Sequence, residues 1–378
     1  MRKKILVCID WFDPAFKAGG PVRSCVNLVE ALSPNFDFYI YTGAVDLGGS
    51  EPLPGILTDR WVLHHSGAHV WYASNLSKSR PVIKKIFQEI EPCVIYLNSV
   101  FSKRFTIDVI LEALKIGFGG KILLAARGML KPSALAIKPV KKRIFLQLAR
   151  IMRIHEKIQF HASNQEEADE IKSVFHSAIV IVIPNLPATI RQSPSFLSKH
   201  QGSLKIVLVG RIHPIKNVLY AIRLLHNLSG QIQLDIIGTM EEEYYWSQCV
   251  EIIDKLPDHI IVNWLGEINP GRLPQEIEKY HLFLLPTKGE NYGHAIIEAL
   301  SLGRPVLISD RTPWRNLSAM DAGWDCNLEK PEEFITALKK ALSWDQEAFN
   351  DCCQQALNYA IRTIDTRQLI QQYQNLFN

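Results

Sequence analysis

The feature that most limits what this chain can fold into is a repeated alternation. Short, almost unbroken apolar runs are followed by longer stretches whose apolar residues recur at helical spacing. In the first half the runs are ILVCID from Ile5, FDFYIYTG from Phe36, CVIYLN from Cys93, KILLAA from Lys121, KIQFHA from Lys157 and AIVIVIP from Ala178. A strand with one wet face alternates apolar and polar residues, and these do not. Near-continuous runs mark strands buried on both faces, and helices between them imply a parallel, doubly wound sheet. Pro184 then opens a polar stretch, NLPATIRQSPSFLSKHQGS, that reads as a linker. The alternation resumes with LKIVLVG from Leu204, IQLDIIG from Ile232, HIIVNWLG from His259, HLFLLPT from His281 and PVLISD from Pro305. From Pro331 to Asn378 only helical periodicity remains.

The expectation is therefore an α/β chain of two Rossmann-like parallel-sheet domains. The first spans 1–186, the linker 187–203 and the second domain 204–360. A C-terminal helix over 361–378 is expected to pack back on the first domain. At 378 residues the chain is long enough for two real cores. Ligands of such sheets bind beyond the carboxyl ends of the strands, so a cleft between the domains is the expected site.

The seven cysteines follow no C-x-x-C spacing and are odd in number, which argues for reduced thiols rather than disulfides or a zinc site. No stretch approaches the ~20 apolar residues that a spanning helix needs. The N-terminal ILVCI is too short for the apolar part of a signal peptide and ends in Asp10, so a cytoplasmic protein is expected. Charge is uneven. Lys and Arg outnumber Asp and Glu by 24 to 16 up to Ile190 (net +8) and are outnumbered 18 to 22 after it (net −4). The basic half suits an anionic membrane or an acidic substrate.

Three strand-to-helix turns carry candidate chemistry. In KGENYGHAIIEALSLG, from Lys288, a strand gives way to a helix that ends at Gly303. Backbone N–H groups near Gly293, His294 and Ala295 would stand at that helix's N-terminus, where unpaired donors and the helix dipole favour phosphate. Glu290 precedes the helix and Glu298 lies over one turn inside it; each carboxylate can accept hydrogen bonds from vicinal hydroxyls. The plain alternative is a first-turn acid and a solvated one. In VGRIHPIKN, from Val209, a strand ends at Gly210, and Arg211 and Lys216 follow in the loop. Two cations there can neutralise a diphosphate. In the first strand-to-helix unit, Gly19 and Gly20 precede a helix with Pro21 at an early position, which permits close approach of a phosphate or is simply a flexible turn. Neither domain carries G-x-G-x-x-G with an acidic partner, which disfavours a dinucleotide dehydrogenase.

Taken together these turns resemble the retaining glycosyltransferases of family 4, which have the GT-B fold. The resemblance runs through nearly the whole chain: Gly19-Gly20, IPN at Ile183, GRIHPIKN, and the pair Glu290 and Glu298 followed by EALSLGRPVLISD. It implies that Arg211 and Lys216 bind the donor's diphosphate, with Gly210 at the start of their loop. It implies that Glu290 sits beside the reacting sugar carbon, and that Gly293, His294 and Ala295 hold sugar and phosphate through their backbones. Glu298 would bind the ribose, and Gly20 would close on the phosphate from the other domain. Many relatives carry a sugar-contacting histidine in the first domain; here LLAARGMLKPSAL places Arg127 near that position. His161 reads instead as a buried or strand-end histidine.

No D-x-D occurs, and the histidine and glutamate at His155-Glu156 lack a second histidine four positions on. No metal and no cofactor are therefore expected; the co-substrate is a nucleotide sugar, UDP- or GDP-linked. The expected reaction is retaining transfer to a glycan or lipid-linked acceptor, of the kind used in bacterial lipopolysaccharide, capsule or exopolysaccharide synthesis. A silent sugar-nucleotide binder and an epimerase or hydrolase on the same architecture are the competing readings. Nucleic acid is a poor fit, since no aromatic-basic platform is present. KPVKKRIFLQLARIMRIHEKI, from Lys138, intersperses cations with apolar residues. As a helix it can lie on an anionic membrane, on the inner face of the plasma membrane, or pack on the sheet with a solvated basic edge.

Overall fold

Each apolar run becomes a strand. The computed structural model describes residues 2–74, 79–136 and 138–378, which fall into two units: Met1–Leu186 with Thr366–Asn378, and Pro187–Asp365.

The first unit holds β1 (Lys4–Cys8), β2 (Asp37–Gly43), β3 (Trp61–Leu63), β4 (His69–Ala73), β5 (Val94–Leu97), β6 (Lys121–Ala125), β7 (Gln159–Ala162) and β8 (Ile179–Val182). Their order across the sheet is β3-β4-β2-β1-β5-β6-β7-β8. All pairings are parallel except β3 with β4. The central strands are dry on both faces, as in β5, where Val94, Ile95, Tyr96 and Leu97 are all buried. Helices α1 (Gly20–Leu32), α2 (Ser79–Ile90), α3 (Asp108–Lys115), α4 (Pro132–Leu135), α5 (Pro139–Ile151) and α6 (Gln165–Val174) connect them. The reading of the sequence missed β3 and β4. β3 has only three residues, β4 follows it without a helix between them, and their Trp and Tyr side chains break the aliphatic pattern.

The second unit is wholly parallel. Its strands β9 (Ser203–Val209), β10 (Gln231–Ile237), β11 (Ile260–Gly266), β12 (Leu282–Leu285), β13 (Val306–Ser309) and β14 (Gly323–Cys326) run in the order β11-β10-β9-β12-β13-β14. Helices α7 (Val218–Leu225), α8 (Glu243–Ile253), α9 (Leu273–Ile277), α10 (His294–Ser301), α11 (Pro331–Ser343) and α12 (Gln346–Thr363) complete it. β14 carries no apolar run, because Asp325 interrupts it; that carboxylate accepts from the backbone N–H groups of Asn316 and Leu317 at 3.2 and 3.0 Å.

The final helix, α13 (Thr366–Phe377), belongs to the first unit. Phe377 packs edge-on against Phe36, Phe38 and Tyr96, and Lys3 and Lys121 donate to the carbonyls of Asn378 and Leu376. Residues 187–203, read from the sequence as the linker, group with the second unit. The buried guanidinium of Arg304 donates to the Ser195 carbonyl at 2.7 Å and to the Glu278 carbonyl at 2.8 Å. A buried cation keeps its charge in low dielectric only when its donors are met, so this segment has little freedom to detach. Every cysteine is a free thiol, and burial raises the pKa of most of them, which keeps those thiols protonated and unreactive.

Candidate active site

In the second sheet the direction of winding reverses between β9 and β12. The loops after these two strands diverge to opposite faces and leave a crevice at the carboxyl edge, the usual ligand position in open α/β sheets. Of the residues singled out from the sequence in this unit, Gly210, Arg211, Lys216, Glu290 and Gly293 lie on these two loops, and His294, Ala295 and Glu298 lie in α10, which follows the second. Lys216 lies in the loop after β9, and Glu290 in the loop after β12. The Lys216 ammonium donates to the Glu290 carboxylate, and both side chains are largely buried.

Local chemistry holds the two loops together. The Ile215 carbonyl accepts from the Lys288 N–H at 2.8 Å and from the Thr287 hydroxyl at 3.0 Å. Asn217, in the left-handed region at φ 59°, turns the chain into α7 and donates its amide to the Pro286 carbonyl at 3.0 Å. The Glu290 N–H is fixed on the Arg311 carbonyl at 3.0 Å. Gly210 leaves room: a Cβ on it would stand 3.3 Å from the Lys216 stem, tighter than ordinary contact, so the lysine lies across the end of β9 without having to shift.

Gly293 caps α10 at φ 77°, a conformation that L side chains resist. His294 and Ala295 follow as the first helical residues, so their amides belong to the set that a helix leaves without internal acceptors. Glu290 is not a first-turn dipole partner: α10 has no acidic residue in its first turn, and Glu290 is engaged with a lysine instead. Glu298 is not a solvated face either. It is only 7% exposed, inside α10. The Tyr292 hydroxyl nearby is kept from ionising by burial first and by the Glu298 carboxylate second.

Arg211 departs from the picture of two cations aimed at one point. Its guanidinium donates to Glu241 at 2.6 Å, in the loop after β10. That loop is stitched to the Arg211 loop through the Ile212 N–H on the Thr239 carbonyl at 2.7 Å. The structure thus joins Lys216 to Glu290 and places Arg211 on a neighbouring acid. Glu241 went unnoticed in the sequence because it begins a run of three glutamates, which reads as ordinary negative charge ahead of a helix.

In the first unit the strand order reverses between β1 and β5. Gly19, at φ 70°, caps α1, whose first residue is Gly20. The loop before them is pinned by Asp46, whose carboxylate accepts from the N–H groups of Phe16 and Lys17 at 3.1 and 3.2 Å. Asp10, at the end of β1, accepts from the Ser102 hydroxyl beyond β5 at 2.7 Å, and burial raises the pKa of its carboxyl. Arg127 lies after β6, one strand away from this reversal. Its backbone is left-handed at φ 53°, and its guanidinium donates to the Asn98 side-chain carbonyl at 2.7 Å, to that of Asn185, and to the Tyr96 hydroxyl at 3.1 Å. Tyr96 in turn contacts His161, which is buried and also bonded to the Ile183 carbonyl at 2.8 Å. Arg127 is therefore the hub of an internal network in this unit, and His161 is one of its buried members.

Comparison with known proteins follows the same lines. Residues 190–358 match the family model Glycosyl transferases group 1. No curated protein sequence matches the chain. Among solved structures, Anabaena Alr3699/HepE in complex with UDP and glucose is similar at a TM-score of 0.69 and 16% identity, over 99% of each chain. Sucrose-phosphate synthase from Thermosynechococcus elongatus gives 0.71 and 16%, over 100% of this chain and 98% of that one. The apo form of the lipopolysaccharide outer core galactosyltransferase WaaB gives 0.60 and 17%, over 99% and 98%. At such identities the likeness concerns the fold. The chain has the two-sheet GT-B architecture, and the stretch that matches the glycosyl transferases group 1 model falls in its second unit.

Proposed function

We propose that this chain transfers a sugar from a nucleotide sugar to a glycan or lipid-linked acceptor, with retention of configuration and without a metal. The observation that carries the reading is the Lys216–Glu290 pair, set at the strand reversal of the second unit beside the N-terminus of α10. A lysine on a carboxylate has a partner that a ligand can replace. A pyrophosphate arriving there competes for the ammonium, and the amides of α10 and their dipole add to its binding. Glu290, released from the lysine, then accepts from the hydroxyls of the sugar. Arg211 adds its charge by swinging from Glu241, and buried Glu298 is the ribose acceptor.

As the bond between the sugar carbon and the phosphate oxygen breaks, negative charge grows on the diphosphate against fixed donors. That is electrostatic stabilisation of the transition state. The acceptor hydroxyl bonds to the same carbon on the leaving-group face, and its proton passes to a phosphate oxygen. Freedom from metal is supported by the lack of any D-x-D. A role in surface-polysaccharide synthesis is supported by the likeness to WaaB, and a uridine nucleotide by that to HepE.

The test is calorimetric binding of UDP, GDP and ADP with a chelator present, followed by NMR of the product. One nucleotide should bind, Lys216→Ala should weaken it about tenfold or more, and the product should keep the donor's anomeric configuration. Loss of all nucleotide binding on chelation, or an inverted product, would overturn the reading. Release of free sugar or of an epimer without acceptor would favour the hydrolase or epimerase alternative.

A further inference from the structure

We propose that α5 docks the first unit on an anionic lipid bilayer. This goes beyond the donor-site reading and does not rest on it. A helix on a parallel sheet ordinarily turns its apolar stripe inward and its polar face to water. α5 does the first and not the second. Leu146 and Ala149 are buried against the unit, so the inward stripe is satisfied. On the opposite face Val140, Ile144, Leu148 and Ile151 follow one another at helical spacing, and they are 68, 54, 52 and 77% exposed. Met152, just past the helix, is 53% exposed. Single exposed apolar residues need no explanation, but a contiguous stripe does.

The charge around the stripe selects its occupant. Lys138, Lys141, Lys142, Arg143, Arg150, Arg153 and Lys157 fall in this segment, and Glu156 is its one acid. Glu156 is already taken by Arg153 at 2.7 Å. Lys138, Lys141, Arg143 and Lys157 are exposed and have no acidic partner among the described residues. A second copy of the chain would bring this patch against itself across a two-fold axis and set like charges together. A bilayer with anionic head groups offers both what the stripe and what the cations lack: acyl chains for the apolar face and negative charge for its rim. No helix among the described residues is long and apolar enough to cross a membrane, so contact through α5 would be interfacial.

The test uses the full chain and vesicles of phosphatidylglycerol mixed with phosphatidylcholine, against vesicles of phosphatidylcholine alone. The chain should float with the anionic vesicles only, and raised salt should release it. Ile144→Ser with Ile151→Ser, and separately Lys141→Gln with Arg143→Gln, should each cut partitioning by about tenfold or more. All four positions are solvent-facing, so the thermal midpoint should hold and separate lost docking from lost folding. No flotation with anionic vesicles at low salt would overturn the proposal. Flotation unchanged in both double variants would overturn it as well. So would a wild-type chain that ignores vesicles but self-associates through this face, as shown by a mass that falls in Ile144→Ser with Ile151→Ser.

Discussion

Arg127 in the first unit and Lys216 in the second are both cations just beyond the carboxyl end of a sheet strand. Their surroundings differ in kind. Arg127 faces two side-chain amides and a phenol, all neutral, in a network that reaches buried His161 and, through the Tyr373 hydroxyl, the Pro184 carbonyl and helix α13. Lys216 faces a single carboxylate on a loop at the strand reversal. A guanidinium with its donors satisfied by neutral groups orders its own unit. An ammonium on one acid can exchange that partner for a phosphate. Position at a strand end is thus only half of a binding site; the other half is a partner that can be traded.

The sharpest way to break this contrast is Glu290→Gln. If the lysine–glutamate pair is the reacting edge, turnover should fall by about a thousandfold while nucleotide affinity, by calorimetry, changes little. Equal loss of both would make Glu290 a mere support for Lys216. Next comes acid. Each unit holds a buried neutral histidine. His161 accepts from Tyr96 and donates to the Ile183 carbonyl, while His281 accepts from the Lys205 N–H at 3.0 Å and donates to the Ser198 carbonyl at 2.9 Å. Burial, the largest cause in both, holds each imidazole down to about 4, against an ordinary 6.5. Above the ordinary value both the folded and unfolded chains are neutral there and nothing changes. Between it and the folded value only the unfolded chain takes the proton, so stability drops as pH falls, by roughly 3 kcal/mol for each histidine over the whole window. Urea midpoints measured down through that window check this, and His161→Gln should flatten the slope.

Arg127→Met is the direct test of the network. It should lower stability by roughly 2–3 kcal/mol, because the oxygens of Asn98, Asn185 and Tyr96 lose a charged donor, and leave nucleotide binding within about twofold. A large loss of sugar transfer at unchanged stability would return Arg127 to the ligand. Gly293→Ala should cost about 1–2 kcal/mol, since φ is 77° and the new Cβ would stand 2.9 Å from the Ile296 side chain. Smallest is Arg211→Ala. Its pair with Glu241 is exposed, so the thermal midpoint should barely move, by less than about 1 kcal/mol in stability. Any sizeable effect should appear in nucleotide affinity alone.

Much of this molecule is legible from residue order. The central strands of both units announce themselves because a strand dry on two faces must be apolar throughout; the edge strands β8 and β11 carry equally apolar runs, yet Ile179 and Ile261 are more than half exposed. The glycines at 19, 210 and 293 mark real turns. The three strands not legible in the sequence, β3, β4 and β14, carry Trp, Tyr or Asp in place of an aliphatic run, so no continuous apolar pattern builds up. Glu241 and Asp46 escaped because an acid that holds a loop looks, in sequence, like any solvated acid.

The sequence by itself determined the two α/β units, the loop carrying Lys216 and the loop carrying Glu290, because burial and turn chemistry are local demands that each segment states in its own residues. Only the tertiary structure decided that Lys216 meets Glu290 while Arg211 meets Glu241, that Glu298 is buried, and that α5 turns a second apolar stripe outward. Those outcomes depend on which strands become neighbours. Strand order arises from the packing of the whole sheet, and no single segment encodes it.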